Sequence, residues 1–171
     1  MNRSIVDAVP AVARAYVGVG SNLGDSRGQV LDAVRAIESL AETSSLRSSR
    51  LYRTPPWGVL EQPPFVNAVV MLETTLQPRA ILEALLSIER AAGRVRNGER
   101  WGPRTLDLDL LHVEGVQLVE AGLTLPHPRI AERAFVLLPL HELAPQLTIP
   151  GQGRVDELLA RIDTAGCDVL A

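Results

Sequence analysis

Two aspartates one residue apart, preceded by a run of arginines, are the residues of this chain best suited to chemistry. In Arg104-Thr105-Leu106-Asp107-Leu108-Asp109-Leu110 the acids alternate with leucines. Alternate side chains of a strand share a face. A strand here would turn Leu106, Leu108 and Leu110 into a core and project Asp107 and Asp109 together, their Cα atoms roughly 6.5–7 Å apart. Carboxylates that close repel each other unless a cation or a shared proton intervenes. Hard oxygen donors suit Mg2+, which takes one or two carboxylates together with substrate phosphates. A solvated outer face would carry the same pattern, so the pair alone decides nothing.

Arg90, Arg94, Arg96, Arg100 and Arg104 fall within 15 residues, just upstream of the acids. Guanidinium forks match phosphate oxygens, and a metal-carboxylate pair beside them is the combination that phosphoryl transfer uses. Arg90 and Arg100 are expected to face solvent. Aromatics are scarce: two Trp, two Tyr and two Phe. Trp57, Phe65, Trp101 and Phe135 all lie in or beside the segments that carry polar candidates. Such rings could hold a flat heterocycle, although core filling would explain any one of them. Asn67, two positions beyond Phe65 on the same strand face, could pair with the polar edge of that heterocycle. His127, in Leu-Pro-His-Pro, could reach a phosphate or a ribose; a bare surface position is the alternative. Cys167, His112 and His141 receive no role.

Composition narrows the classes. With 171 residues, 46% of them apolar, the chain suits one globular domain. All 17 basic residues are Arg. Without Lys there is neither a Walker phosphate loop nor Schiff-base chemistry. A formal charge of −3 argues against a general nucleic-acid binder. No apolar run approaches a membrane span, no signal peptide is evident, and one cysteine cannot make a disulfide framework. A cytoplasmic protein is expected.

The elements that must position these residues follow from periodicity. Residues 13–19 read as a strand ending in Gly20-Ser21-Asn22, then a helix with Val30, Val34, Ile37 and Ala41 on one face. Gly18-Val-Gly-Ser-Asn-Leu-Gly24 misses the dinucleotide fingerprint, since its third Gly falls one residue late. It reads instead as a tight turn and helix entry. Residues 45–53 read as a second strand, 54–64 as a Pro-rich loop and 65–74 as a third strand. Pro78 opens a helix with Ile81, Leu85, Ile88 and Ala92 on its face and Gly93 as its stop. A strand over 105–113 turns at Glu114-Gly115 into Val116-Gln-Leu-Val. Strand, helix, strand, strand, helix, strand is the split βαβ order of ferredoxin-like α+β domains. More helix follows, including 155–162.

Taken together the segments resemble the 6-hydroxymethyl-7,8-dihydropterin pyrophosphokinase family. The resemblance is carried by Gly18-Val-Gly-Ser-Asn-Leu-Gly24, Tyr52-Arg-Thr-Pro-Pro56, Gln62-Pro-Pro-Phe-Val-Asn67, Gly93-Arg-Val-Arg96, Arg100-Trp-Gly-Pro-Arg-Thr-Leu-Asp-Leu-Asp109 and Leu125-Pro-His-Pro-Arg129 with Arg133-Ala-Phe135. It covers residues 16 to about 150; residues 1–12 lie outside it, although 1–171 is expected to be a single domain. The resemblance implies a ferredoxin-like βαββαβ core with additional C-terminal helices and strands. It also implies pyrophosphate transfer from ATP to a pterin alcohol in folate biosynthesis, AMP as coproduct, and two Mg2+ ions. Carried over residue by residue, Asp107 and Asp109 match the metal ligands, and Arg94 and Arg104 match arginines on the transferring polyphosphate. Phe65 and Phe135 match the rings that sandwich the pterin, with Thr54, Pro55, Trp57 and Asn67 around it. Glu89, Arg96, Trp101, Leu110, Thr124, His127 and Arg133 match the ATP side. Pro128 stands where some relatives carry an aromatic, and Phe65 where some carry Tyr. A monomer working on two small molecules, without nucleic acid or membrane, is expected. A ligand-binding regulatory module and a nucleic-acid binder are the rival classes, separable by AMP release on adding a pterin alcohol.

Overall fold

The first strand becomes the middle of the molecule. In the structure, a computed structural model describing residues 11–93 and 106–170, β1 (Ala13–Ser21) is paired along both edges. Its Ala13, Ala15, Val17 and Val19 enter one apolar cluster, and Tyr16 enters another on the opposite face. A strand buried on both faces loses the polar alternation of a surface strand, which is why its sequence is apolar nearly throughout. Gly18 lies inside this strand as the reading of 13–19 has it, Gly20 joins it rather than ending it, and Gly24, at φ +66°, serves the turn.

The two helices that follow cover the first face. Helix α1 (Ser26–Glu38) is capped by Asp25, whose carboxylate accepts from the Gly28 amide at 3.0 Å, and it buries Val30, Ala33 and Ile37. Ala41, expected on that face, lies beyond the helix end and is exposed. Between the helices run β2 (Thr43–Ser48), β3 (Tyr52–Thr54) and β4 (Phe65–Thr74). The single strand expected over 45–53 is therefore two pieces, both paired with β4. At the break the Arg50 amide donates to the Glu142 carboxylate at 3.0 Å, and the Tyr52 hydroxyl donates to its other oxygen at 2.7 Å. Helix α2 (Pro78–Ala91) starts at its proline as expected and buries Ile81, Leu85 and Glu89. Ala92 falls outside it and is exposed, with Gly93 at φ +81° just beyond.

Strand β5 (Asp107–Val113) takes the free edge of β1. Val17 faces Leu110 and Tyr16 faces His112, so Leu111 is the extra residue of a bulge. The bulge breaks the simple alternation and turns His112 to the side of Tyr16, with ring centroids 6.1 Å apart. His112 is buried, not a surface histidine. The strand expected at 116–119 is β6 (Leu118–Glu120), which pairs with β7 (Leu123–Leu125) rather than with β5. The Leu125-Pro126 peptide is cis. Helix α3 (Ala134–Leu143), the hairpin of β8 (Thr148–Ile149) and β9 (Gly153–Arg154), and α4 (Val155–Ala160) follow. Strand β10 (Asp168–Val169) pairs with β3. The result is a mixed structure of helices on an antiparallel sheet of order β10-β3-β4-β1-β5, with β2 also on β4. Helices α1 and α2 pack on one face, α3 and α4 on the other. Among the described residues no helix is long and apolar enough to cross a membrane.

Register sets the second face in rows. Tyr52, Asn67, Gly20 and Asp107 are successive partners across four strands; one step along come Val69, Gly18 and Asp109; then Met71, Tyr16 and His112. In the last row side chains fill a core under α3. In the first two the centre of the sheet carries no side chain at all. A Cβ on Gly20 would come within 2.5 Å of the Asn67 amide oxygen, whereas one on Gly18 would meet Leu111 at an ordinary 3.6 Å. Gly20→Ala should therefore cost about 1–3 kcal/mol, the usual penalty of overpacking, while Gly18→Ala stays within about 0.5 kcal/mol of the parent. Urea unfolding midpoints of the two variants make the comparison; equal midpoints would show that the approach of Asn67 to Gly20 imposes nothing.

Candidate active site

At the Ser21 end of β1 the second face is left open, and the open stretch is a cavity. It spans about 660 Å³ including space open to solvent, and its lining includes Gly18, Gly20, Thr54, Pro55, Trp57, Phe65, Asn67, Phe135, Asp107, Asp109 and Arg133. Every residue assigned to the pterin by resemblance is among them. They come from four elements. Phe65 and Asn67 share a face of β4, Thr54 pairs with Phe65 from β3, Trp57 lies on the Pro-rich loop, and Phe135 opens α3. The Asn67 amide nitrogen donates to the Thr54 hydroxyl at 2.7 Å. That bond orients the amide so that its oxygen lies over Gly20, as an acceptor at the cavity floor. Asn22 donates to the Gln62 side chain at 2.9 Å and to the Pro63 carbonyl at 3.0 Å, tying the far half of the loop to the end of β1.

A second, more polar cavity of about 1010 Å³ lies on the other side of β5. Glu89, Leu110, Thr124 and His127 line it, with Leu82, Leu86, Leu123 and Pro128. Glu89 is buried and its carboxylate accepts from the Leu108 amide at 3.0 Å, so it also fastens α2 to β5. His127 is not a bare surface residue. Its main-chain amide donates to the carbonyl of the bulge residue Leu111 at 2.7 Å, and its Nδ1 accepts from the Arg129 amide at 3.1 Å. With Nδ1 an acceptor, the neutral ring carries its proton on Nε2. Burial, then the nearby Arg133 and Arg129 charges, push its pKa down to about 4 against the pull of Asp107, so the ring is neutral at pH 7.

Asp107 and Asp109 line both cavities. They project side by side from β5 as alternation requires, half-buried, while Leu106, Leu108 and Leu110 enter the core. Among the described residues no group of three or more His, Cys, Asp or Glu stands ready to hold a metal. Two carboxylates are nevertheless a sufficient protein share for a Mg2+ that takes its remaining oxygens from phosphates and water. Arg133 stands beside them, 6% exposed, with Nη1 at 4.0 Å from Asp109 Oδ2. Burial lowers its pKa and Asp109 opposes the shift. Resemblance assigned Arg133 to the nucleotide; it lines the first cavity, with its guanidinium 4.9 Å from the Trp57 ring and 5.5 Å from that of Phe135.

Arg94, Arg96, Trp101 and Arg104 lie outside the described residues, as does Thr105 at the expected strand start. Arg90 is exposed at the end of α2, as expected. Sequence reasoning missed the glycine floor, the Leu82 and Leu86 wall and Arg129. Leu82, Leu86 and Glu89 are spaced four and three apart, the signal of a second helical face.

Residues 16–145 match the family described as 7,8-dihydro-6-hydroxymethylpterin-pyrophosphokinase (HPPK). The 2-amino-4-hydroxy-6-hydroxymethyldihydropteridine pyrophosphokinase of Methylorubrum extorquens is 49% identical over 160 residues, covering 92% of this chain and 98% of its own. That of Pseudomonas aeruginosa is 46% identical over 160 residues, covering 93% and 98%. Among solved structures, a Plasmodium falciparum HPPK-DHPS triple mutant superposes with a TM-score of 0.69 at 12% identity, over 88% of this chain. This chain spans only 43% of that longer one, and at such identity the likeness speaks for the fold alone. With the family pattern running from β1 through α3, and two relatives near half identical along almost their whole length, the chain belongs to the HPPK family.

Proposed function

We infer that the chain transfers the pyrophosphoryl group of ATP to the hydroxymethyl oxygen of 6-hydroxymethyl-7,8-dihydropterin and releases AMP, a step of folate biosynthesis. The observation that carries this reading is the shared wall. One cavity is lined by rings and an oriented amide, the other is open and polar, and the same two aspartates border both. A transfer between two bound molecules needs its reacting atoms where the two sites meet.

The pterin hydroxyl oxygen attacks the β-phosphorus. The bond from that phosphorus to the α,β-bridging oxygen breaks, AMP keeps the oxygen, and the hydroxyl proton leaves to solvent or phosphate. Two Mg2+ ions held by Asp107 and Asp109 would supply charge neutralisation and bring the phosphates to the wall. Arg133, beside Asp109, supports a share in holding the polyphosphate, and Arg94 and Arg104 join it by resemblance. Phe65 and Phe135 would flank the pterin plane, and the Asn67 oxygen would accept from its N–H edge. His127 serves as an Nε2–H donor toward the nucleotide rather than as a base, since a ring with a pKa near 4 is a poor proton acceptor. Thr124, Glu89 and Leu110, with Arg96 and Trp101, complete the nucleotide side. The strand order, with β2 and β3 taken as one interrupted strand, supports a ferredoxin-like βαββαβ core with C-terminal additions. The reading extends to one domain over 1–171, working as a cytoplasmic monomer without nucleic-acid or membrane partners.

AMP formation from ATP on adding the pterin alcohol, with and without Mg2+, tests the reading; ADP as product, or turnover undiminished by chelation, would overturn it. Asp107→Ala and Asp109→Ala should each lower turnover by at least a thousandfold, about 4 kcal/mol, while thermal unfolding stays near that of the parent. Near-normal turnover at saturating Mg2+ in either variant would remove the carboxylates from the chemistry. Phe65→Ala and Phe135→Ala should each weaken pterin binding by about 1–3 kcal/mol through lost stacking and apolar contact. Calorimetry should find ATP affinity nearly unchanged. The reverse pattern would mean that the two cavities have been assigned the wrong way round.

A further inference from the structure

Arg129 has no part in the reading above, yet it touches both sides of the site. Its main-chain amide donates to His127 Nδ1 at 3.1 Å on the nucleotide side. Its guanidinium lies 5.5 Å from the centroid of the Trp57 ring on the pterin side. Arg133 approaches the same ring at 4.9 Å, and Phe135 meets Trp57 edge-on, centroids 6.5 Å apart at 64°. The result is a chain of cation, ring, cation and ring across the mouth of the cavity.

Two guanidiniums on one indole repel each other, and Arg129 contributes to the lowered pKa of Arg133. Arg129 is only half-buried, so its side chain could reach water and escape that repulsion. It stands over Trp57 instead, where the ring quadrupole attracts it and its stem covers the indole. Trp57 itself sits on a loop with no ladder hydrogen bonds of a strand, eight residues before β4 begins at Phe65. Its far half is tied down by Asn22, and the ring in its near half packs against Arg129, Arg133 and Phe135.

We propose that Arg129 is a positioning residue of the pterin site, whose guanidinium holds the Trp57 ring in place as a wall of the cavity. The proposal rests on reading this cavity as the pterin site. It ties the Pro-rich loop to the segment that presents His127 to the nucleotide. A polar or acidic residue at 129 would remove this cation from the Trp57 ring.

The test is a double-mutant cycle on equilibrium binding of 6-hydroxymethyl-7,8-dihydropterin, in the presence of Mg2+ and a non-hydrolysable ATP analogue. Arg129→Ala should weaken the pterin about three- to tenfold, the range of a partly exposed cation–π contact with its packing, and raise its KM by more than it lowers kcat. Arg129→Lys should recover most of the loss, since an ammonium also binds a ring face. In a Trp57→Ala background Arg129→Ala should add nothing. Trp57 emission, read in a Trp101→Phe background, should become more accessible to acrylamide when Arg129 is removed. An undiminished effect of Arg129→Ala without Trp57, or an equal loss of affinity for the ATP analogue, would overturn the proposal and make Arg129 a general electrostatic residue. Phe65→Ala reports the cavity assignment independently. If it leaves pterin binding unchanged, that assignment fails and the proposal with it; if it weakens the pterin while Arg129→Ala does not, only the role of Arg129 falls.

Discussion

Two absent side chains in the central strand shape everything around them. Gly18 and Gly20 are neighbours on one face of β1, each flanked across the sheet by an aspartate of β5, and Gly20 also by Asn67 of β4. With ordinary side chains there, the sheet face would be filled and α3 could seat over its whole length. Without them a trough runs between the two acids and the amide, and α3 packs over the row beyond, where Tyr16, Met71 and Leu111 close the core. Glycine inside a strand is costly in entropy and packing. Here the cost leaves a floor that a flat molecule can approach without meeting a Cβ.

Charge around the trough is arranged against its own self-repulsion. Arg133 is nearly buried and is bracketed by Asp109 on one side and by aromatic faces on the other. A cation so desolvated is unfavourable unless partnered, and Asp109 supplies one carboxylate oxygen at 4.0 Å. A phosphate group arriving at the shared wall would bring it a further anion. His127, by contrast, is kept neutral by burial and then by the Arg133 and Arg129 charges, so the site presents one strong cation and one neutral donor from a single short segment. Neither group needs to change protonation near pH 7 to bind an anion.

How much of this the chain declares in advance depends on the range of the interaction responsible. Asp107 and Asp109 beside each other, and Phe65 with Asn67, follow from the two-residue period of a strand, which any local segment displays. Helix α2 announces itself through Pro78 and the Ile81, Leu85 spacing. Apart from helix ends and the β6–β7 hairpin, the failures involve a partner far along the chain. Gly20 reads as the start of a turn until register sets it opposite Asp107 and Asn67. The strand expected over 45–53 breaks because Glu142, some 90 residues later, takes the Arg50 amide and the Tyr52 hydroxyl. The packing of His112 on Tyr16 goes unread because nothing local signals that Leu111 will bulge. Trp57, Phe65 and Phe135 were legible as candidates, but not their cations, since Arg129 and Arg133 reach Trp57 from more than 70 residues away.

The bulge shows how the two cavities come to share a wall. A regular β5 would continue its alternation past Leu111 and turn His112 into the core under α1 and α2. The extra residue keeps Leu111 and His112 on the side of Tyr16. The Leu111 carbonyl then receives the His127 amide at 2.7 Å. That bond fastens the segment from His127 to Arg133 alongside β5 rather than letting it leave the sheet. Further on, Gln152 takes up the His127 carbonyl and the Ala131 amide, at 2.9 and 3.1 Å, and holds the same segment from its other side. One stretch of chain pinned at both flanks therefore presents His127 to one cavity and Arg133 with Phe135 to the other. Asp107 and Asp109, on the strand it is fastened to, stand at the boundary. The two cavities meet where they do because a single misfit in the β1–β5 ladder brings the segment from His127 to Arg133 against the strand that bears the acids.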